Sequence, residues 1–420
     1  MANDLNLSVG NSKTSASNGR RVLFLSTAMG MGGGAEEQVI ALACAFKDRN
    51  WQTMIVSMVP LSPMPADFAS RDIPLKSLEM KRGFPGPTGL FRLSKIIREF
   101  KPDVVHSHMN HANLLARAVR LIQPYPVLIC TLHNLTMAGV LKNHTGIFEM
   151  AHRITDGLSE QTTAICKAAA DYTVEKKAVP PNKMRVVHNG IDISLFQRNE
   201  ARRNATRQSL GINDEFVWMA AGRLEAQKDY PNMLRAFSSL LNSYKGNPAS
   251  PKLKLLICGQ GSLKDNLVKI GEELNLGDQV RFMGLRSDIP EMMNAADAFV
   301  LSSELEGLPL VLLQAAASHL PIVSTDVGGN SDAVINNDNG LLVPSANHEL
   351  LAQAMKRVND MSTSERLAMG DRGRTHIEMN FQTDKVVDLW EQMYVNLLAK
   401  RQVNQRSANP QVELTGNSAC

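Results

Sequence analysis

The chain has 420 residues, 44% of them hydrophobic, which is enough apolar material for two or three separate cores. A net charge of +4 and a pI near 8.7 are too mild for a nucleic-acid partner, yet compatible with an acidic substrate or an anionic membrane surface. No apolar run reaches the ~18 residues that cross a bilayer. The five cysteines (Cys44, Cys130, Cys166, Cys258 and Cys420) show neither C-x-x-C nor metal spacing, so no structural metal is expected and the chain reads as one of a reducing compartment.

Residues 1–19 lack the apolar stretch of a signal peptide and read as a disordered leader. From Arg21 the apolar runs VLFLS, MIVSM, DVVHSH, VLICTL, TTAIC and MRVVH read as strands. Helical-period segments lie between them, at Glu36 to Arg49, Thr88 to Phe100, Ala112 to Ile122 and Lys167 to Lys177. The polar stretch from Phe196 to Asn213 is the expected boundary. The alternation then restarts with FVWMAAG, KLLICG, VRFMG, DAFVLSS, IVST and GLLVP. A last helix, Thr383 to Arg401, carries Val387, Trp390, Tyr394 and Leu398 at helical spacing, and Gln402 to Cys420 reads as an unfolded tail. Apolar strands separated by helices predict parallel sheets covered on both faces. Two such runs predict an α/β protein of two doubly wound domains, 20–195 and 196–380, facing a central cleft.

Ligands of doubly wound sheets bind at the carboxyl ends of the strands, so the strand-end residues of both halves form one set of candidates. After VLFLS comes MGMGGGAEEQ, where Gly32, Gly33 and Gly34 let a backbone approach a ligand closely. The G-x-G-x-x-G spacing is met only loosely, and no acid follows MIVSM to hold a ribose, so NAD is not expected. His133 ends VLICTL, and His106 and His108 flank the end of DVVHSH. Strand FVWMAAG ends in Arg223, with Lys228 five residues on, two fixed cations suited to a diphosphate. Gly259 in CGQGSL and Leu285 and Arg286 in GLRSDIPEM stand at further strand ends, where backbone can meet a nucleoside.

The stretch SSELEGLPLVLLQAAASHLPIVSTDVGG, 302–329, organises the second half. Its helix starts near Pro309, leaving the N–H groups of Leu310, Val311 and Leu312 as an anion site. Glu306 stands on the loop above that site. Gln314 lies roughly 7 Å further along the helix, its side chain tilted back toward the anion. An acid, a phosphate cradle and a polar reader in that order suit a nucleotide-sugar.

GGGAEE, HNGID at His188 to Asp192, AGRLEAQKD, ICGQGSL and MGLRSDIPEMMNAADAFVLSS together resemble the family 4 retaining glycosyltransferases, from about Val22 to Tyr394. That resemblance implies the GT-B fold, with the last helix, 381–401, crossing back onto the N-terminal domain. It implies that Arg223, Lys228 and the Leu310 and Val311 amides hold the donor diphosphate, with Gly33 and Gly34 against the donor from the other domain. Glu306 and His133 would flank the transferred sugar, with His108 on the acceptor side. Gln314 occupies the place of the family's second motif glutamate, which takes the ribose hydroxyls. A register starting from Glu304 reaches Leu312 and restores nothing. The implied function is transfer of a sugar from a UDP-sugar to a glycan or lipid-linked acceptor, without metal or cofactor. A GT-B-like scaffold with little turnover and a sugar-nucleotide epimerase are the alternatives. The expected place is the cytoplasm, at the inner face of a membrane if the basic amphipathic helix Thr88 to Lys101 docks there.

Overall fold

In the computed structural model the described residues are 19–30, 33–81, 86–134, 145–247 and 250–408. Residues 1–18 of the predicted leader and Gly32 lie outside them, as do residues 409–420 of the predicted tail.

The N-terminal strands are β1 (Arg21–Ser26), β2 (Gln52–Ser57), β3 (Leu75–Ser77), β4 (Val104–His108), β5 (Val127–Leu132), β6 (Gln161–Ala164) and β7 (Met184–Val186). They pair in parallel in the order β3-β2-β1-β4-β5-β6-β7. Helices α1 (Gly34–Asp48), α2 (Pro87–Phe100), α3 (Asn110–Arg120), α4 (Thr145–Thr155) and α5 (Lys167–Glu175) make the crossovers. After α6 (Glu200–Ser209), a second parallel sheet has the order β10-β9-β8-β11-β12-β13. Its strands are β8 (Phe216–Ala221), β9 (Leu253–Cys258), β10 (Val280–Gly284), β11 (Ala298–Leu301), β12 (Ile322–Thr325) and β13 (Gly340–Val343). Its helices are α7 (Tyr230–Asn242), α8 (Lys264–Glu273), α9 (Ile289–Ala295), α10 (Leu310–Ala317), α11 (Asn330–Ala333), α12 (His348–Asp360), α13 (Thr363–Asn380) and α14 (Thr383–Ala408).

Strands such as Val104–His108 and Val127–Leu132 are buried at every position, as parallel strands covered on both faces must be. One face of the first sheet is covered by α1 and α14, through Phe24, Phe46, Trp51, Trp390 and Tyr394. The other is covered by α2 and α3, through Leu25, Leu93, Ile97, Leu115 and Leu128. Tyr394 stacks on Phe46 with ring centroids 4.9 Å apart, which seats α14 on the N-terminal sheet.

The structure adds to the sequence reading at three places. The expected boundary stretch after Phe196 contains α6, which the second sheet holds through Arg203 Nη2 to Asp297 Oδ1 at 2.6 Å and Arg207 Nη1 to Asp297 Oδ2 at 3.3 Å. Its polarity comes from arginines that the fold uses inward. The last helix continues past Arg401 to Ala408, so the first residues of the predicted tail are helical. The sequence reading also passed over α4, Thr145–Thr155.

Candidate active site

The carboxyl ends of both sheets meet at a narrow junction. The 302–309 loop that leaves β11 lies against the residue that leaves β5. A Cβ on Gly307 would fall 2.3 Å from the His133 carbonyl oxygen, so only glycine fits there. A Cβ on Gly329 would fall 2.6 Å from that of Cys166, at the start of α5. Gly34, opening α1, faces the N-terminus of α10: a Cβ there would stand 3.6 Å from Leu310 Cδ1. The two domains therefore bring Gly33, Gly34 and His133 from one side to Glu306, Leu310 and Val311 on the other.

The loop that carries Glu306 is tied down by short hydrogen bonds. Ser302 Oγ donates to the Lys228 and Asp229 carbonyls at 2.8 Å, and Thr325 Oγ1 donates to the Ser303 carbonyl at 2.6 Å. Glu306 is buried, and its Oε1 accepts from Lys228 Nζ at 2.5 Å and from Ser303 Oγ at 2.6 Å. The ammonium of Lys228, expected at the donor diphosphate, is engaged with Glu306 in this structure. Arg223, by contrast, is exposed at the end of β8.

Pro309 is the N-cap of α10 rather than its first residue. Leu312 N–H closes back onto the Pro309 carbonyl at 3.0 Å, which removes it from the expected trio of amides and leaves Leu310 and Val311. Gln314 is half-buried on the same helix. Gly259 has a packing reason to be glycine: its φ is +149° and a Cβ would lie 1.9 Å from the Gly222 carbonyl oxygen. Leu285 is exposed, and the Arg286 guanidinium forks onto Asp288, with Nε to Oδ1 at 2.7 Å. The nucleoside candidates on that loop thus offer backbone and an apolar surface, not a free cation.

The histidines separate into two roles. His106 is structural: it joins Tyr394 OH at 2.6 Å to Thr131 Oγ1 at 2.7 Å, binding α14 to the sheet. His108 Nδ1 and His133 Nε2 are 2.9 Å apart, and His108 Nε2 and His133 Nδ1 are buried without a hydrogen-bond partner. Burial pushes His133 down to about 4. His108 is held well below the ordinary histidine range by burial, with the charges of His106 and His133 adding to it. Both rings are neutral at neutral pH, so one must donate to the other, and the choice decides whether His133 Nδ1 offers a proton or a lone pair. Met109, next to His108, holds φ +75° and ψ 154°, a region that only glycine adopts without strain.

Asp332 on α11 is the contact that sequence reading missed. Its Oδ2 accepts the Lys167 N–H at the start of α5 at 2.8 Å and lies 3.1 Å from His188 Nε2, so it bridges the domains. The HNGID run was the available signal. Its Gly190 exchanges two hydrogen bonds with Gln38 of α1, at 2.7 and 2.9 Å. Among the described residues, no group of three or more His, Cys, Asp or Glu side chains could hold a metal ion.

Two family descriptions match along the chain: Glycosyltransferase Family 4 over residues 32–195 and Glycosyl transferases group 1 over residues 202–376. The chain belongs to this glycosyltransferase family. It is similar to the UDP-Gal:alpha-D-GlcNAc-diphosphoundecaprenol alpha-1,3-galactosyltransferase of Escherichia coli, 25% identical over 73% of this chain and 80% of the relative. It is equally similar, at 25% over 73% and 78%, to the N-acetyl-alpha-D-glucosaminyl L-malate synthase of Bacillus anthracis. In fold it matches HepE of Anabaena in complex with UDP and glucose, with a TM-score of 0.75, 19% identity and coverage of 90% of this chain and 100% of that one. Sucrose-phosphate synthase of Thermosynechococcus elongatus matches with a TM-score of 0.77 at 18% identity, over 91% and 100%. The facing parallel sheets are the GT-B fold, and this glycosyltransferase works in polysaccharide or glycoconjugate biosynthesis.

Proposed function

We propose that the enzyme is a retaining transferase that takes a sugar from a UDP-sugar and adds it to a glycan or lipid-linked acceptor. The observation that carries this reading is the meeting of Gly307 with His133, which sets the buried acid Glu306 and the neutral His133 pair on opposite walls of one junction. The galactosyltransferase relative acts on a diphosphoundecaprenol-linked acceptor, and HepE binds UDP, which supports both donor and acceptor class.

In this reading no metal is needed, because Arg223, Lys228 and the Leu310 and Val311 amides take the charge of the leaving diphosphate. Lys228 then exchanges Glu306 for a phosphoryl oxygen. Glu306, still held by Ser303, is freed toward the sugar as oxocarbenium character develops. His133 Nδ1 is the unpartnered ring atom that meets a sugar hydroxyl, and His108 sets its tautomer from the acceptor side. Gln314 accepts from the ribose as a neutral amide. Leu285, Arg286 and Gly259 border the base. The site would be reached from the cytoplasm at the inner face of a membrane.

A panel of nucleotide-sugars assayed for nucleoside diphosphate release, with the anomeric configuration of the product read by NMR, tests the proposal. Acceptor-dependent release of UDP with retained configuration supports it. An inverted product, or turnover without release, as an epimerase would show, overturns it.

A further inference from the structure

Helix α4 is amphipathic in the wrong direction for water. Ile147, Met150 and Ile154 recur at helical spacing on its outer face and are 56%, 50% and 74% exposed. Its inner face carries Glu149 and His152, both buried, with Asp156 continuing that face in the following turn. Glu149 Oε2, both ring nitrogens of His152 and Asp156 Oδ1 are buried without hydrogen-bond partners, as is Nε of Arg117, which holds the end of α4 through the His152 carbonyl at 3.0 Å. A helix built for an aqueous surface places these two sets the other way round.

We infer that α4 seats the enzyme on an anionic lipid surface, with Ile147, Met150 and Ile154 entering the interface and the neighbouring cations meeting the headgroups. Charge selects this occupant over a second copy of the chain. Arg153, Lys176 and Lys177 are exposed at the Ile154 end, the Arg153 guanidinium lying on the Lys176 and Lys177 carbonyls at 2.7 and 2.8 Å. Between residues 20 and 195 there are 21 basic against 14 acidic side chains, whereas the whole chain has 45 against 41, so the basic excess belongs to this domain. A like-charged copy would be repelled from such a face and an anionic bilayer drawn to it. The predicted docking helix α2 is poorer in apolar contact: Leu93, Ile96 and Ile97 are spent on the core, and Phe91 is left exposed among its cations. Position adds a reason. His111, at the start of α3 just beyond His108, packs edge-on against Phe148 of α4 at 5.1 Å, so a surface held by α4 lies beside the acceptor edge of the cleft. The inference does not depend on the transfer chemistry, and its test reads binding alone.

The full-length protein is sedimented with vesicles of phosphatidylcholine alone and with one-third phosphatidylglycerol, at low and high salt. Binding is expected to the anionic vesicles only. The variant Ile147→Ser/Met150→Ser/Ile154→Ser should partition at least ~tenfold less, and Lys176→Glu/Lys177→Glu should bind less and lose salt dependence. Thermal melts of the variants are run beside the binding assay and should match the wild type, so that lost binding is not lost fold. Failure of the wild type to bind anionic vesicles at low salt overturns the inference, as does unchanged binding by the triple serine variant. Loss of binding on reversing Arg92, Lys95 and Arg98, with α4 variants unaffected, moves docking to α2 and also overturns it. So does a wild-type dimer in sedimentation velocity that the triple serine variant dissolves, which makes the face an interface between copies.

Discussion

Lys228 and Glu306 neutralise each other, Nζ to Oε1 at 2.5 Å, at the point where the two domains meet. The pair is buried on both sides, and Ser303 Oγ donates to the same carboxylate oxygen. The lysine that a diphosphate would claim is therefore the partner of the acid that would face the sugar. In the proposed mechanism, a donor that takes one releases the other.

That coupling makes Lys228→Met a stability variant as well as an activity variant. It strands the Glu306 carboxylate in a buried site, a loss of roughly 3–5 kcal/mol for a broken buried pair. Adding Glu306→Gln removes the stranded charge and should restore much of the loss. Urea unfolding of the wild type, both single variants and the double variant measures this. A double variant less stable than Lys228→Met would show that the two side chains do not hold each other.

Arg223 is the contrasting case. It is exposed at its strand end, so Arg223→Ala should leave the melting temperature within the scatter of surface substitutions, about 0.5 kcal/mol. Donor turnover should fall by roughly 1.5–3 kcal/mol, the worth of a hydrogen bond to a charged group. Near wild-type turnover with the best donor would remove Arg223 from the diphosphate site.

Gln314→Glu tests the ribose contact. A carboxylate in place of the amide should tighten donor binding about tenfold, ~1.4 kcal/mol, if the side chain faces the ribose hydroxyls. A 2′-deoxy donor should forfeit that gain. Titrations of both proteins with both donors decide it, and equal affinity throughout means that Gln314 does not touch the ribose.

The buried neutral histidines give a pH dependence with a definite sign. Burial pushes His133 to about 4 and His152 to about 3, the Arg117 charge adding to the latter, while an unfolded histidine takes its proton near 6.5. Between those values the unfolded chain binds more protons, so each group lowers stability as pH falls from about 6.5 toward its folded value, by about 1.4 kcal/mol per unit. His152→Gln should therefore lose less stability between neutral and mildly acidic pH than the wild type, whatever it costs at neutrality. Parallel pH dependences in thermal melts would contradict the burial of His152.

Much of the site was legible because it is local chemistry. Gly33, Gly34, Glu306, Leu310 and Val311 stand out as glycines, an acid and helix-start residues at strand ends, and strand ends of a doubly wound sheet converge. His106 and His108 look alike in DVVHSH and, two residues apart, point to the same face of the strand, their ring centroids 4.1 Å apart. Only packing shows that His106 is taken up by Tyr394 of α14 while His108, at the carboxyl end of the strand, pairs with His133. Asp332 was invisible for another reason. Its partners His188 and Lys167 are 144 and 165 residues away, and nothing local marks a carboxylate that bridges domains.

The sequence alone determined the alternation of buried strands and helices, hence two parallel sheets, because the hydrophobic period is written into neighbouring residues. It also carried the chemistry at each strand end, since an amino acid's functional group does not depend on its partners. Only the tertiary structure decided which groups are free. Lys228 and Arg223 sit five residues apart and carry the same charge, but one is buried against Glu306 and the other is exposed. The same holds for α4, where spacing marks two faces and only the fold shows that the apolar one, with Ile147, Met150 and Ile154, is the exposed one. Availability depends on long-range contacts and burial, which have no counterpart in the local spacing of residues.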